Sequence, residues 1–457
     1  MSQQAPLPLG MRGPGSLAVM RQWLSPLPVC CRVWLQDGSA AGHGCDWDVG
    51  LGRKREVTSM QRTTPMLTDV RHSRLCYSKD RMCAHPRQCP IHNYGDGHIT
   101  VIHHHAPSAY RVRNDIQHGM AGYKGRAKIL LQRSFDHGET WPEEHEVVIW
   151  DDGLPLEEKR AILHRADDPT LLREEIDLSS PDSSVYFARP ATGPERPDGR
   201  PALECYAFRS GDRGYTWETV PTRVSPPAGL AYIHIDAGPW AQFGDGTQMV
   251  VASIGGDDGN TALGVYGTDD NGLSWKYVAE VANDPTGRGR PTYGVLLLLP
   301  SGRLQCYMLN IQGIRNAIQM NYSDDGGYSW SEPHPLVTWG QSPWAALTRQ
   351  HAWSGARRQG VLYRSPWPLR LRDGRIVVIF GRRHPPFGMG LIVTQDEGAT
   401  WSAEAVIRAD ASDGDLGYPV ATELDDGRIF TAYYFMEDDG NNFGGTRHIA
   451  GSFFRVT

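Results

Sequence analysis

From Asp69 to the C-terminus the chain is written in short apolar runs cut by tight turns. Val295-Leu296-Leu297-Leu298-Leu299-Pro300-Ser301-Gly302-Arg303-Leu304 shows the pattern: an apolar run, a Ser-Gly turn, and a second run that returns. Leu369 to Val378 and Val420 to Phe430 repeat it. Turns of this kind fall at Asp96-Gly97, Asp198-Gly199, Asp245-Gly246, Ser301-Gly302, Asp373-Gly374 and Asp426-Gly427. An Asp-Gly or Ser-Gly pair between two apolar runs predicts a β-hairpin, because glycine supplies the backbone angle that the turn requires.

A second pattern runs in phase with the first. Its frame is Ser/Thr-x-Asp-x-Gly-x-Ser/Thr-Trp, found at Ser134 to Trp141, Ser210 to Trp217, Thr268 to Trp275, Ser323 to Trp330 and Thr394 to Trp401. The Asp can accept hydrogen bonds from the amides of its own turn. The Gly takes a left-handed angle, and the Trp buries a large apolar surface that pins the turn. Copies spaced by roughly 55 to 75 residues predict a repeat architecture with one supersecondary unit per copy.

Within a unit the order reads strand A, Asp/Ser-Gly turn, strand B, variable loop, strand C, Trp-bearing turn, strand D. That is a four-stranded antiparallel blade. Six hairpins and five Trp turns predict an all-β fold, a six-bladed β-propeller over residues 69–457. The final run, Arg447 to Val456, would be strand C of the sixth blade, with Arg71 to Ser78 supplying its outer strand and closing the ring. The A–B and C–D turns then share one rim. The long B–C loops and the segments leading into each strand A share the other, where function belongs.

Composition fits this reading. Gly 51 and Pro 32 supply many turns, and a net charge of -6 argues against nucleic acid as a partner. No apolar run is long enough to span a membrane. Eight cysteines at 30, 31, 45, 76, 83, 89, 205 and 306 form no CxxC pair and read as free thiols of a reducing compartment. Residues 1–65, rich in Gly, Pro and Arg without a sustained period, read as a disordered extension with no signal peptide, so a cytoplasmic location is expected.

The functional rim gathers a particular set of side chains. Blade one offers His103, His104, His105, Arg111, Arg113, Asp115 and His118. Three consecutive His suggest metal, but strand alternation lets only His103 and His105 share a side. No metal or cofactor is expected, and His105, Asp115 and His118 are the proton-transfer candidates. Arg87, Arg315, Arg364, Arg382 and Arg383 fall on the same rim, where a guanidinium fork would grip a carboxylate. Tyr293, His234 with Asp236, Asp415 and Tyr418 stand where the chain leads into strands A, and Trp240, Trp344, Trp353 and Trp367 offer stacking faces.

The Trp-bearing frame is the Asp-box signature, and from about Cys83 onward the chain resembles the sialidase-like, BNR-repeat β-propellers that carry it. In that family the boxes are structural turns. The resemblance implies a Tyr nucleophile activated by a Glu, an Asp acid/base, and three Arg on a sugar carboxylate. Gly417-Tyr418-Pro419-Val420 is similar to the nucleophile strand, and Arg364 to one of the Arg set. Elsewhere the chain departs from the family. Thr292 and Tyr293 stand where the activating Glu should be, Gln88 with Arg87 beside it stands at the first Arg, and Arg315 is the nearest Arg to the second, expected near Asn310. Asp115 is the acid/base candidate. The resemblance therefore implies a divergent, exo-acting glycoside hydrolase on a terminal acidic sugar of a glycan. In a version built on two carboxylates, Asp115 would act with Asp236 or Asp415. Two alternatives stay open: a lyase on a uronic-acid polymer, in which Arg neutralises the carboxylate while His and Tyr move protons, and a carbohydrate-binding propeller without catalysis.

Overall fold

The five repeated turns are built alike. In the computed structural model of the chain, Ser134 Oγ donates to Asp136 Oδ1 at 2.7 Å, and Asp136 also accepts from Thr140 N at 2.9 Å and Thr140 Oγ1 at 2.6 Å. Gly138 takes φ +89° and its amide donates to Ser134 Oγ at 2.8 Å. The same bonds recur around Asp212, Asp270, Asp325 and Asp396. Three of the turn Trp side chains reach beyond their own sheets. Trp141 of blade one stacks on Phe430 of blade six with ring centroids 5.8 Å apart, Trp275 of blade three meets Phe187 of blade two at 5.3 Å, and Trp401 of blade five meets Tyr307 of blade four at 6.2 Å. Each of these three Trp side chains is thus a staple onto the preceding blade.

The described residues are 62–86, 91–195, 199, 201–235, 240–256, 261–286, 289–312, 315–338 and 362–457, with the side chains of residues 312, 315, 316 and 338 outside the description. They form a six-bladed β-propeller of mostly four-stranded antiparallel sheets. Blade one pairs Arg81–Ala84, Ile99–Pro107, Lys128–Ser134 and Val147–Asp151, with His92–Asn93 continuing the inner strand. Blade three pairs Tyr232–Ile235, Gln248–Gly255, Thr261–Thr268 and Lys276–Ala282. Blade four holds Pro291–Leu298, Leu304–Gln312, Arg315–Ser323 and His334–Thr338. Blade five holds Tyr363–Arg370, Ile376–Arg382, Gly388–Thr394 and Ala405–Arg408.

Blade six closes the ring as the sequence predicted. Gly417–Glu423, Ile429–Glu437 and Thr446–Val456 are completed by Leu67–Cys76, which pairs antiparallel with Thr446–Val456. Blade two departs from the expected pattern. Ser184–Ala188, Tyr206–Ser210 and Thr222–Arg223 make a three-stranded sheet. The Asp198-Gly199 pair, expected to turn between strands A and B, falls in sequence between Ala191–Glu195 and Pro201–Leu203, which pair with each other as a separate two-stranded sheet. The reason is register: Ser184–Ala188 pairs directly with the strand that leads into the Trp turn, so the excursion is inserted between them. The extension expected over residues 1–65 lies almost wholly outside the described residues. Among the described residues no helix is long and apolar enough to cross a membrane.

Candidate active site

Where the chain enters its inner strands, one backbone device recurs. Strand pairing slips between Thr292 and Val295, between Arg364 and Trp367, and between Gly417 and Val420. At each slip a non-glycine residue takes a left-handed angle: Tyr293 at φ +54°, Ser365 at +40° and Tyr418 at +58°. His85, which ends the inner strand of blade one, is at +57°. A bulge re-aims side chains out of the regular alternation, and left-handed angles at non-glycine residues are strained positions that gather at functional sites. Here they bring side chains of blades one, four, five and six to one end of the propeller, opposite the Trp turns.

At the centre stand an arginine and two tyrosines. Arg364 Nη2 donates to Tyr293 Oη at 2.7 Å and also to Tyr418 Oη. Its guanidinium lies 4.7 Å from the Tyr418 ring centroid and 4.5 Å from that of Tyr293. The Arg383 guanidinium lies 5.8 Å from the Tyr418 ring centroid. Tyr418 is only 3% exposed. Burial alone would push its phenol up, but Arg364, Arg383 and the hydrogen bonds from Tyr293 and Arg364 outweigh burial and hold it below the ordinary 10.0. Arg383 Nε donates to the Leu416 carbonyl at 2.8 Å, while its buried Nη2 has no hydrogen bond among the described residues.

Asp415 is the second focus. Its Oδ2 accepts from Tyr434 Oη at 2.9 Å and Arg447 Nε at 3.0 Å, and His118 Nε2 lies 3.3 Å away. Arg383 Nη2 is 3.9 Å from Oδ1. Burial would raise this carboxyl, but His118, Arg447 and Arg383 prevail and keep it ionised, well below the ordinary 3.8. For His118, burial lowers the imidazole and Asp415 pulls it back upward, leaving it below 6.5. Because Nε2 faces the carboxylate it carries the hydrogen, and Nδ1 keeps the lone pair.

His85 links the two foci. Its ring packs edge-on against Tyr418 at 4.4 Å and against His118 at 4.9 Å. Its Nδ1 is hydrogen-bonded to Tyr123 Oη. Burial, followed by the charges of Lys124, His118, His104 and Arg364, drives His85 well below 6.5, so it is neutral. Tyr123 and Tyr434 are pushed well above 10.0 by burial first and stay protonated. The site is therefore a buried Arg–Tyr centre beside neutral imidazoles and one ionised carboxylate whose charge is balanced by arginines.

The sequence candidates are distributed unevenly over this arrangement. Tyr418, Arg364, Arg383, Tyr293 and His118 converge on the site. Asp115 does not: its Oδ2 accepts from the amides of Arg111 at 2.8 Å and Val112 at 3.1 Å, and those bonds hold it as a turn-capping anion below 3.8. Arg382 lies on the opposite face of its strand from the Arg364 partner Gly381, where its guanidinium is tied to Glu404 and to the Pro386 carbonyl at 2.9 Å. Trp367 is a core residue, 2% exposed, with Nε1 donating to the Ala421 carbonyl at 3.2 Å, so it offers no face to a sugar. His105 lies on the same face as His103, and the alternation sends His104 instead to the His85 side, with ring centroids 5.5 Å apart. Arg87, Asp236, Trp344, Trp353 and the Arg315 side chain lie outside the described residues.

The sequence reading missed His85, Tyr123, Tyr434 and Arg447. A signal for His85 was present. His85-Pro86, Ser365-Pro366 and Tyr418-Pro419 place a left-handed residue before proline at the same point of three blades. Arg447 and Tyr434 carry no local mark, since each sits inside an ordinary strand pattern.

The fold and the site define a sialidase-like BNR propeller with an Arg–Tyr–His centre. Residues 195–431, over half of the chain, match the family described as BNR repeat-like domain, and the protein belongs to that family. No curated protein matches the chain. Among solved structures, a Dyadobacter fermentans DSM 18053 protein of unknown function is similar with a TM-score of 0.62 at 20% identity, covering 85% of this chain and 99% of that one. A Hadza microbial sialidase, Hz136, aligns with a TM-score of 0.50 at 15% identity, over 82% of this chain and 65% of its own. A Trypanosoma rangeli sialidase mutant displaying trans-sialidase activity aligns with a TM-score of 0.53 at 13% identity, over 86% and 59%. The chain thus spans less than two thirds of either sialidase, and at these identities the likeness is one of fold.

Proposed function

We propose that the protein is a glycoside hydrolase that removes a terminal, carboxylate-bearing sugar from a glycan, with Tyr418 as the nucleophile. The observation that carries this reading is the hydrogen bond from Arg364 to the Tyr418 phenol, with the Arg383 guanidinium 5.8 Å from the same ring. A phenol is a poor nucleophile until its proton is made labile. Two guanidiniums do here what a neighbouring carboxylate would otherwise do: they favour the phenolate by charge. The same guanidiniums suit the substrate carboxylate, and the buried Arg383 Nη2 is a donor with no hydrogen bond among the described residues. An anionic sugar bound between them would set its anomeric carbon against Tyr418 Oη. His118, oriented by Asp415, is the proton-transfer group for the leaving oxygen.

A second reading, β-elimination on a uronic-acid polymer, is favoured by one observation: His118 is shifted toward its neutral form, with Nδ1 as a free base. In that chemistry Arg364 and Arg383 neutralise the carboxylate, His118 removes the proton beside it, and Tyr418 returns a proton to the departing oxygen.

The test is incubation with aryl glycosides of acidic sugars and with acidic oligosaccharides, following released aryl group and ultraviolet absorbance together. Aryl release that disappears in Tyr418→Phe supports hydrolysis. Absorbance from a new double bond replaces it with elimination. No turnover of either substrate class by the folded protein would sink both readings.

A further inference from the structure

The consecutive histidines of blade one remain unused by this chemistry, and one of them, His103, meets two cysteines. Cys76 ends Leu67–Cys76, the strand that completes blade six. Cys83 lies in Arg81–Ala84, the inner strand of blade one, and His103 in its neighbour Ile99–Pro107. One ligand atom from each of Cys76, Cys83 and His103 lies within 4.8 Å of the other two. All three residues are buried, at 7%, 1% and 0% exposure.

We infer that Cys76, Cys83 and His103 form a binding site for a soft, thiolate-seeking divalent cation of the zinc type, placed on the seam where the ring closes. Thiolate and imidazole are the donor set such a cation selects. A second observation comes from the His103 ring. Its Nε2 lies 3.0 Å from Gln132 Oε1, and its Nδ1 lies 3.1 Å from the His104 carbonyl oxygen. Gln132 is held in this orientation because its Nε2 donates to Glu146 Oε1 at 2.8 Å. Both partners of the ring are therefore acceptors, while a neutral imidazole has a single N–H. One ring nitrogen therefore faces an acceptor oxygen with no hydrogen between them, a contact that a ring turned toward a bound cation would relieve. The Gln132–Glu146 chain is the kind of outer support that orients a ligating histidine.

His105 could complete the set only by turning its ring inward, since the atoms within 4.8 Å of one another belong to Cys76, Cys83 and His103. It stands directly across the sheet from Cys83, on the face that Cys83 and His103 share, and its buried Nδ1 has no hydrogen bond among the described residues. The sulfurs of Cys76 and Cys83 are 2.8 Å apart. Zinc–sulfur bonds of about 2.3 Å at tetrahedral angles would hold them about 3.7 Å apart, so loading spreads the pair by roughly 1 Å. Both thiols are ionised on binding and release their protons to solvent. The consequence is mechanical. The seam joins the strand of 67–76 to blade one, and a metal bridging Cys76 to blade one adds a buried link to the backbone pairing and to ion pairs such as Arg71–Glu139 that hold the closing strand.

The experiment uses the full chain, dialysed against metal-free buffer after addition of zinc, with bound metal measured by mass spectrometry. Cobalt is the spectroscopic probe. About one equivalent of zinc per chain is expected, with a thiolate-to-cobalt charge-transfer band in the cobalt form. Cys83→Ser and Cys76→Ser should each abolish the band and reduce retained zinc at least tenfold. A chelator should lower the Tm of the parent protein and leave that of either variant unmoved. The parent protein is its own control for folding, so absence of both retained zinc and the cobalt band in it overturns the proposal. Recovery of Cys76 and Cys83 as a disulfide-linked peptide from protein handled without air overturns it too.

Discussion

Arg364 reaches across from blade five to donate a hydrogen bond to the phenol of Tyr418 in blade six, 54 residues further along the chain. That contact joins a permanent cation to a buried acid. Burial alone would make Tyr418 inert, and the arginines reverse the outcome.

Removing the phenol tests this directly. Tyr418→Phe keeps the ring that packs on His85 and Tyr293 and loses only the oxygen. Turnover should fall by at least about 100-fold with little change in Tm, as expected for loss of a nucleophile or proton donor. Steady-state kinetics beside a thermal melt separates this from a packing defect.

Arg364→Lys should act on acidity and binding together. Lysine keeps the charge but not the fork that serves Tyr418 and Tyr293 at once. The Tyr418 phenol should shift upward in a spectrophotometric pH titration, KM for an acidic substrate should rise about tenfold or more, and kcat should fall. A variant with unchanged titration would show that Arg364 does not govern the phenol.

The pH profile separates hydrolysis from elimination through His118, whose pKa lies below 6.5. Hydrolysis needs the imidazolium to protonate the leaving oxygen, so kcat/KM should fall as pH rises through that value. Elimination needs the neutral ring, so kcat/KM should rise through it. His118→Gln should flatten whichever limb is present.

Stability should weaken in mild acid. His448 is 1% exposed, and burial first of all lowers it to about 4 against an ordinary 6.5. The folded state therefore favours the neutral ring while the unfolded chain takes up a proton near 6.5. This group's contribution is complete above pH 6.5 and is lost as pH falls toward about 4, on the order of 3 kcal/mol. Melts across that range should show Tm falling, and His448→Gln should make the fall shallower.

The Trp turns predict the opposite separation. Trp401→Ala removes a side chain that is 8% exposed and packed against Tyr307 of the preceding blade, at a cost of about 3–5 kcal/mol. Because that rim is opposite the site, kcat of the folded fraction should stay within about twofold. A selective loss of turnover without loss of Tm would contradict the division between the rims.

Repeats made much of this legible in advance. The Ser/Thr-x-Asp-x-Gly-x-Ser/Thr-Trp frame determined the turns, because every partner of Asp136 or Asp325 lies within four residues of it. The apolar runs and glycine turns determined the hairpins, and the surplus strand at Arg71 determined how the ring closes. Tyr418 was singled out through the resemblance of Gly417-Tyr418-Pro419-Val420 to the nucleophile strand of sialidase-like propellers. What tertiary structure alone decided is which polar side chains meet. Asp115 and His118 lie three residues apart in one loop, yet one caps its own turn and the other faces Asp415, nearly 300 residues away. Arg382 and Arg383 are adjacent, yet the alternation along the strand ties one to Glu404 and leaves the other beside Tyr418. Short-range hydrogen bonds are written in local sequence. The direction of a side chain at the end of a bulged strand depends on register with a neighbour far along the chain, and no local pattern carries that.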